Sequence, residues 1–412
     1  MIKRINDFLV KTQKYTKTDN IYLVKYGSWL TLGQVISSVC SFLLALAFAN
    51  FLSKETYGIY KYILSISGLL IIPTLGGIDT AITQAISRGY EGSFIKALKT
   101  KIRWGILGSL ASMCLSGYYY FNNNITLTIS FLIISAFLPI MDSFNLYSSL
   151  FNGKKLFDKQ TKYFVFICFS TTISLITAIA LTKNLFIIIF IYFFSYTLFR
   201  FIALIVCLKK FPLNKKEDSK TIPYGKHLTL ISLISAATNY LDKILVFHYL
   251  GPVELAVYVF AILPPEQLKS FLKSAHALAM PKLSVKSEQE IKRTLLPQMF
   301  KFAIFIGFGI IIYILLAPLF YKIFFPQYIE AVFYSQIFAI SLITAITILP
   351  NTALQAKMAK KQLYQLNIFS PIIQIILLFL LINLYGLLGI ILARVIWRFI
   401  NLFINYYLVR KI

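Results

Sequence analysis

Acidic residues are scarce in this 412-residue chain: 15 Asp and Glu stand against 41 Lys and Arg, and charged residues make up only 14% of the sequence. Soluble domains carry about 25%. A nucleic-acid binder could share the formal charge of +26 and the pI near 9.8, but it needs charge over its whole surface, so the low charged fraction excludes that class. Histidine is equally thin, with His227, His248 and His276 widely separated. The four cysteines, Cys40, Cys114, Cys168 and Cys207, lie singly in apolar runs without CxxC spacing. They read as buried thiols, which excludes a zinc site and a secreted disulfide scaffold. The chain also lacks a GxxxxGKS/T phosphate loop, an HExxH helix and a nucleophile elbow. No enzyme and no resident cofactor or metal is expected.

What the chain has in abundance is apolar sequence: 58% hydrophobic residues and a mean hydropathy of +0.74. Runs long enough to cross a bilayer recur from end to end, which predicts an all-α, polytopic membrane protein. Apolar segments fall at 27–52, 58–82, 104–121, 125–151, 163–182 and 185–208, and again at 227–250, 255–281, 302–319, 331–355, 365–383 and 386–408. Twelve transmembrane helices place both termini on one side. Sorted by that scheme, 31 Lys and Arg lie on the side of the termini and only Lys54, Lys183 and Lys322 on the other. Cationic loops stay in the cytoplasm, so both termini are expected there. The first 20 residues read as a basic amphipathic arm without a cleavable signal.

The polar stretch 209–226, containing KKFPLNKKEDSK, divides the chain into N-terminal (1–208) and C-terminal (227–412) halves of six helices each. YGSWLTLGQVIS from Tyr26 aligns with YGKHLTLISLIS from Tyr224, and identities continue without a gap through Leu43/Leu241, Leu52/Leu250 and Tyr60/Tyr258. A weaker echo links FNGKKLFDKQTKY to LQAKMAKKQLYQL. Even-numbered halves that both start inside are parallel repeats, an architecture of transporters that rock two lobes. Pro73 with Gly76–Gly77 and, in the matching helix, Pro264–Pro265 are expected to interrupt their helices near the binding region.

Function is sought in charges within the spans, because each is costly there and faces a cavity or a partner. The cations are Lys61, Arg200, Lys243, Lys269, Lys273, Arg394 and Arg398; the acids are Asp79, Asp142, Asp242 and Glu266. Glu266, Lys269 and Lys273 share one helix face by their i, i+3, i+7 spacing, as do Arg394 and Arg398 at i, i+4. Mutual neutralisation, such as Glu266 with Lys269, accounts for part of the set but leaves cations in excess. Lys61, Lys243, Lys269, Lys273, Arg394 and Arg398 are therefore expected to line a cavity for an anionic, phosphate-bearing substrate. Asp79, Asp142, Asp242 and Glu266 are the candidates for proton or sodium coupling.

In the order of FANFLSKETYGIYKY, its echo NYLDKILVFHYLGPVELAVYVFA, and SLFNGKKLFDKQTKY after the fourth span, the chain resembles the O-antigen flippases of the Wzx type. These belong to the multidrug/oligosaccharidyl-lipid/polysaccharide (MOP) flippase superfamily, and the resemblance covers nearly the whole chain. It implies a MATE-like fold of two pseudo-symmetric six-helix lobes. It also implies a bacterial inner-membrane protein that moves undecaprenyl-pyrophosphate-linked oligosaccharide repeat units, of O-antigen or capsule type, to the periplasmic leaflet by alternating access. The implied partners are that lipid-linked glycan, the bilayer, and a polysaccharide polymerase and chain-length regulator, with no nucleic acid. A MATE-like drug/cation antiporter is the alternative, although it would line its cavity with acids. A membrane polysaccharide polymerase is the second alternative, opposed by the short outer loops.

Overall fold

The computed structural model describes residues 20–272, 288–357 and 359–411. The basic arm and Lys273 lie outside the described residues. Secondary structure among the described residues is helical throughout. The chain runs through α1 (Asn20–Phe51), α2 (Lys54–Leu70), α3 (Gly77–Ser87), α4 (Ser93–Phe121), α5 (Ile125–Met141), α6 (Tyr147–Gly153) and α7 (Phe157–Leu181). It continues through α8 (Leu185–Lys210), α9 (Thr221–Leu250), α10 (Pro252–Leu272), α11 (Glu288–Phe324), α12 (Ala331–Ile340), α13 (Ile348–Ala356) and α14 (Lys360–Arg410). Eight helices among the described residues are long and apolar enough to span a membrane, and a bent pair makes a ninth. The 51-residue α14 is itself broken at Gly386, whose φ of 56° is non-helical. The order is consistent with twelve spans and establishes an all-α, multi-pass membrane architecture. The chain packs as two compact units, residues 36–256 and residues 1–35 with 257–412.

Breaks and joins follow from local chemistry. Ser53 caps α2 by accepting the Thr56 N–H. After α2, Pro73 lies in a 3₁₀ turn and Leu75 takes a left-handed φ of 63°, so α2 and α3 meet at a 46° bend. The expected interruption at Pro264–Pro265 does not occur, because α10 runs continuously through both prolines. Pro264 cannot donate to the carbonyl of Phe260 four residues back, and the Tyr321 hydroxyl donates to that oxygen instead, at 2.8 Å. The same remedy recurs twice. Pro139 strips a donor from the Ser135 carbonyl, which accepts the Ser109 hydroxyl. Pro318 does likewise to Ile314, whose carbonyl accepts the Gln336 amide at 2.9 Å. In a bilayer core no water can serve these carbonyls, so a neighbouring helix must.

The α4–α5 contact positions the first charge cluster. Small residues at 105, 108, 109, 112 and 116 fall on one face of α4 and let the helices approach closely. Ser112 and Ser116 donate to the carbonyls of Phe131 and Thr128 at 2.7 and 2.8 Å, in register with the Ser109 bond. Gly108 has no room for a side chain, since a Cβ there would lie 2.2 Å from the Leu70 carbonyl oxygen. One turn before Gly105, the same face carries Lys101.

Candidate functional site

The basic segment before the third apolar run reads from sequence as loop, yet it forms the first turns of α4. Lys96, Lys99 and Arg103 are exposed on these turns, while Lys101 is completely buried. Its ammonium lies 2.6 Å from Asp79 Oδ1 and 3.0 Å from Asp142 Oδ2. Asp79 comes from the start of α3, and Asp142 directly follows α5. Thr74 donates its hydroxyl to Asp142 at 2.8 Å. Arg200 on α8 donates to the Met141 carbonyl at 3.0 Å, lies over the Tyr196 ring, and acts electrostatically on both carboxylates. Two acids thus meet two bases. A cavity of about 210 Å³ opens beside them, lined by Asp79, Asp142, Thr74, Thr229, Asn239 and Tyr240 among others.

Lys61 and Lys243 belong to the same unit and are held differently. The Lys61 ammonium faces the rings of Tyr57, Tyr60 and Phe48 at 5.2, 5.8 and 6.0 Å, a cation–π cage. Lys243 lies 3.3 Å from its chain neighbour Asp242, which is buried, and donates to the Asn239 carbonyl at 3.4 Å.

The second cluster lies in the unit that contains residues 257–412. Glu266 on α10 is shared by Arg394, at 2.9 Å, and Arg398, both on α14. Arg394 also donates to the Tyr258 hydroxyl at 3.1 Å, and Arg398 to the Ser341 hydroxyl at 2.8 Å. Both guanidinium planes lie over the Phe338 ring, at 5.1 and 4.5 Å. The i, i+4 spacing read from sequence thus places both arginines on one ring and one carboxylate. Lys269, one turn after Glu266, adds a third positive charge to its surroundings. Three cations face one carboxylate. A cavity of about 510 Å³ adjoins this cluster, lined by Lys269 and Arg398 and by Thr344, Asn351, Gln355, Trp397 and Asn401 among others.

The expected cationic set is therefore distributed over both units: Lys61 and Lys243 in one, Lys269, Arg394 and Arg398 in the other. Of the acids, Asp79 and Asp142 share one network, Asp242 adjoins Lys243, and Glu266 belongs to the arginine cluster. Lys101 escaped the sequence reading. The signal was present, since Lys101 extends by one turn the small-residue stripe of α4. Tyr258 and Trp397 also escaped, as aromatic residues among many. Among the described residues no group of three or more His, Cys, Asp and Glu side chains could hold a metal ion.

Residues 23–284 match the family of polysaccharide biosynthesis proteins. No protein of curated function matches the chain. Solved structures of membrane transporters share its fold at low sequence identity. One is a MATE protein in complex with MaD5, at a TM-score of 0.66 and 11% identity over 95% of each chain. Another is a multidrug resistance MATE transporter of the MOP superfamily in an inward-facing conformation, at a TM-score of 0.65 and 10% identity over 91% of this chain and 94% of that one. A third is a MOP superfamily transporter from Pyrococcus furiosus, described as having a binding pocket of reverse polarity, at a TM-score of 0.62 and 11% identity over 95% of each chain.

Proposed function

Since the chain belongs to the polysaccharide biosynthesis protein family and has a MATE-like membrane fold, we propose that it is a flippase for undecaprenyl-pyrophosphate-linked oligosaccharide repeat units. The observation that carries the substrate class is the Arg394–Arg398–Glu266 cluster. Its guanidiniums are matched in geometry to phosphate oxygens, and they lie where water competes little, Arg398 buried and Arg394 partly so. Without substrate, Glu266 serves as their counterion. An arriving pyrophosphate carries more charge than one carboxylate and displaces it. The glycan occupies the adjoining polar cavity, and the polyprenyl chain remains in lipid. Repeat halves 1–208 and 227–412, joined by 209–226, alternate access, delivering the repeat unit from the cytoplasmic to the periplasmic leaflet of the bacterial inner membrane with both termini in the cytoplasm. O-antigen or capsule is the product served. The polymerase and chain-length regulator act on it next.

Asp79 and Asp142 are the proposed sites of proton or sodium coupling. Lys101 already supplies a cation to both, so an incoming ion must exchange with it. Asp242 and Glu266 each have a cationic neighbour as well. A drug/cation antiporter would present unpaired acids to its cavity, and the excess of cations around Glu266 opposes that reading.

Arg398→Gln tests the proposal in a strain that depends on this protein for surface polysaccharide. Polymer on the cell surface should fall at least tenfold while the membrane content of the protein is unchanged. Undiminished polymer sinks the proposal.

A further inference from the structure

Helix α9 opens the second half of the chain, yet it packs as a member of the unit of residues 36–256. Its neighbours there are α2 and α3 of the first half, and three glycines set how closely it lies against them. A Cβ at Gly58 would lie 1.8 Å from the carbonyl oxygen of Pro252, just beyond α9. One at Gly68 would lie 2.3 Å from the Tyr240 ring, and one at Gly77 would lie 2.4 Å from the Gly225 carbonyl oxygen. The Gly77 N–H also donates to the Thr229 hydroxyl at 3.0 Å, and that hydroxyl donates to the Gly225 carbonyl at 2.9 Å. Between the first two contacts the Tyr62 and Phe247 rings stack with their centroids 3.8 Å apart. As residue numbers rise along α2 and α3 they fall along α9, so the helices run antiparallel and touch from end to end.

The Thr221 end of α9 is fastened a second time, outside the helices. The strap from α8 to α9 is tied to the turn between α3 and α4. Asn214 donates its backbone N–H to the Glu91 carboxylate at 3.0 Å, and its side-chain oxygen accepts the Glu91 N–H at 3.3 Å. The Gly92 N–H donates to the Lys216 carbonyl at 2.9 Å, the Asp218 N–H donates to the Ser93 hydroxyl at 2.8 Å, and Arg88 pairs with Asp218 at 3.0 Å. The residues that join the halves in sequence are thus held against the first of them.

A gate that alternates access is parted at one end in each conformation. This seam is closed at the Leu250 end, in the middle and at the Thr221 end together. Backbones in contact through glycine lose a quarter to a half of their dispersion attraction when they part by about 0.5–1 Å, and in lipid no hydrophobic term draws helices together again. We propose that the seam between α2–α3 and α9 is the axis about which the halves rock. It stays closed at both ends throughout the cycle, and no polyprenyl chain passes across it. The inference rests on the flippase reading and adds to it which helices keep their contacts while access alternates.

The test places a pair of cysteines at each end of the seam, in a full chain whose own four cysteines are replaced by alanine. Tyr62→Cys/Phe247→Cys marks the Leu250 end, and Arg88→Cys/Asp218→Cys marks the Thr221 end. In liposomes, translocation of a fluorescent undecaprenyl-pyrophosphate-linked N-acetylhexosamine is followed by an impermeant quencher. Rates are taken before and after a short bis-thiosulfonate linker joins each pair, with completion read from intact mass. Each linked protein should keep its own unlinked rate to within about twofold, since an axis does not need to open. A larger loss that reductant restores, at either end, overturns the axis and leaves the flippase reading standing. The two pairs lie at opposite ends of α9, so a folding defect in one variant does not decide the matter. If the unaltered chain moves no lipid, both readings fall.

Discussion

Replacing Lys101 by Met gives the sharpest test of the structure, because sequence and fold place this residue in opposite environments. As a cytoplasmic loop residue it could be changed at little cost, typically within about 0.5 kcal/mol. In the structure it is fully buried and shared by Asp79 and Asp142 at 2.6 and 3.0 Å. Removing one member of a buried ion cluster costs about 3–5 kcal/mol, because the remaining charge is left uncompensated. Two features move the expectation to the lower end of that range. The acid side chains keep 34% and 22% of their exposure, and Arg200 remains as a partial counter-charge. Lys101→Met should therefore lose about 3 kcal/mol. The double change Lys101→Met/Asp79→Asn leaves Arg200 facing Asp142 with the charges balanced and should return to within about 1 kcal/mol of the unaltered protein. Thermal unfolding in one detergent at one scan rate compares them, since the membrane protein's midpoint is operational. A Lys101→Met midpoint equal to that of the unaltered protein refutes the buried network. A double variant worse than the single one refutes the electrostatic account of it.

Two further outcomes are expected. Gly108→Ala should lose about 2–3 kcal/mol by overpacking, because its Cβ would meet the Leu70 carbonyl at 2.2 Å; Gly117→Ala on the same helix meets nothing within 4 Å and should be neutral or gain up to about 1 kcal/mol, so equal midpoints for the two refute the α4 packing. Outside the spans, burial disfavours the Glu91 carboxylate, but Lys154 at 2.9 Å and the Asn214 backbone N–H outweigh it and hold its pKa below the usual glutamate value of 4.5. Its stabilising contribution is complete above pH 4.5 and is lost as pH falls through the depressed value. Unfolding midpoints of Glu91→Gln and the unaltered protein should then converge on acidification below that point, and a constant gap refutes the pairing.

Hydropathy revealed the order of the spans because the bilayer imposes a length and a polarity that no packing detail overrides. It failed at the start of α4, where Lys96, Lys99, Lys101 and Arg103 lowered the local average although only one of them points inward. A window average cannot see which face a charge occupies; the small-residue stripe through Gly105 and Ser109 can. Pro264–Pro265 misled for a related reason. A proline removes a donor at a known place, but whether the helix breaks depends on who serves the orphaned carbonyl. Tyr321 lies 57 residues after Pro264 in sequence, beyond any local rule. The pairing of Glu266 with Arg394 and Arg398 was hidden likewise: its own-helix neighbour Lys269 was the visible partner, while both arginines arrive from α14.

These placements also change what the positive charge means. In the unit of residues 36–256, Lys101 and Arg200 answer Asp79 and Asp142, Asp242 adjoins Lys243, and Lys61 is enclosed by aromatic rings. That arrangement is close to balanced. The unit of residues 257–412 gathers three cations around one carboxylate. An unmatched pair of guanidiniums, one buried and one partly buried, is costly, so an empty carrier needs a counterion. A covalently attached one is always present and can be displaced without being lost. On the proposed reading, Glu266 is that counterion. It stabilises the empty cluster, yields to a pyrophosphate of greater charge, and returns to the guanidiniums when the substrate leaves. Glu266→Gln should accordingly tighten binding of undecaprenyl pyrophosphate while slowing its release, because the internal competitor is gone. Dissociation rates measured on nanodisc-embedded protein decide it: faster release from Glu266→Gln than from the unaltered chain contradicts the exchange, since a mere support for the arginines would weaken the site when neutralised.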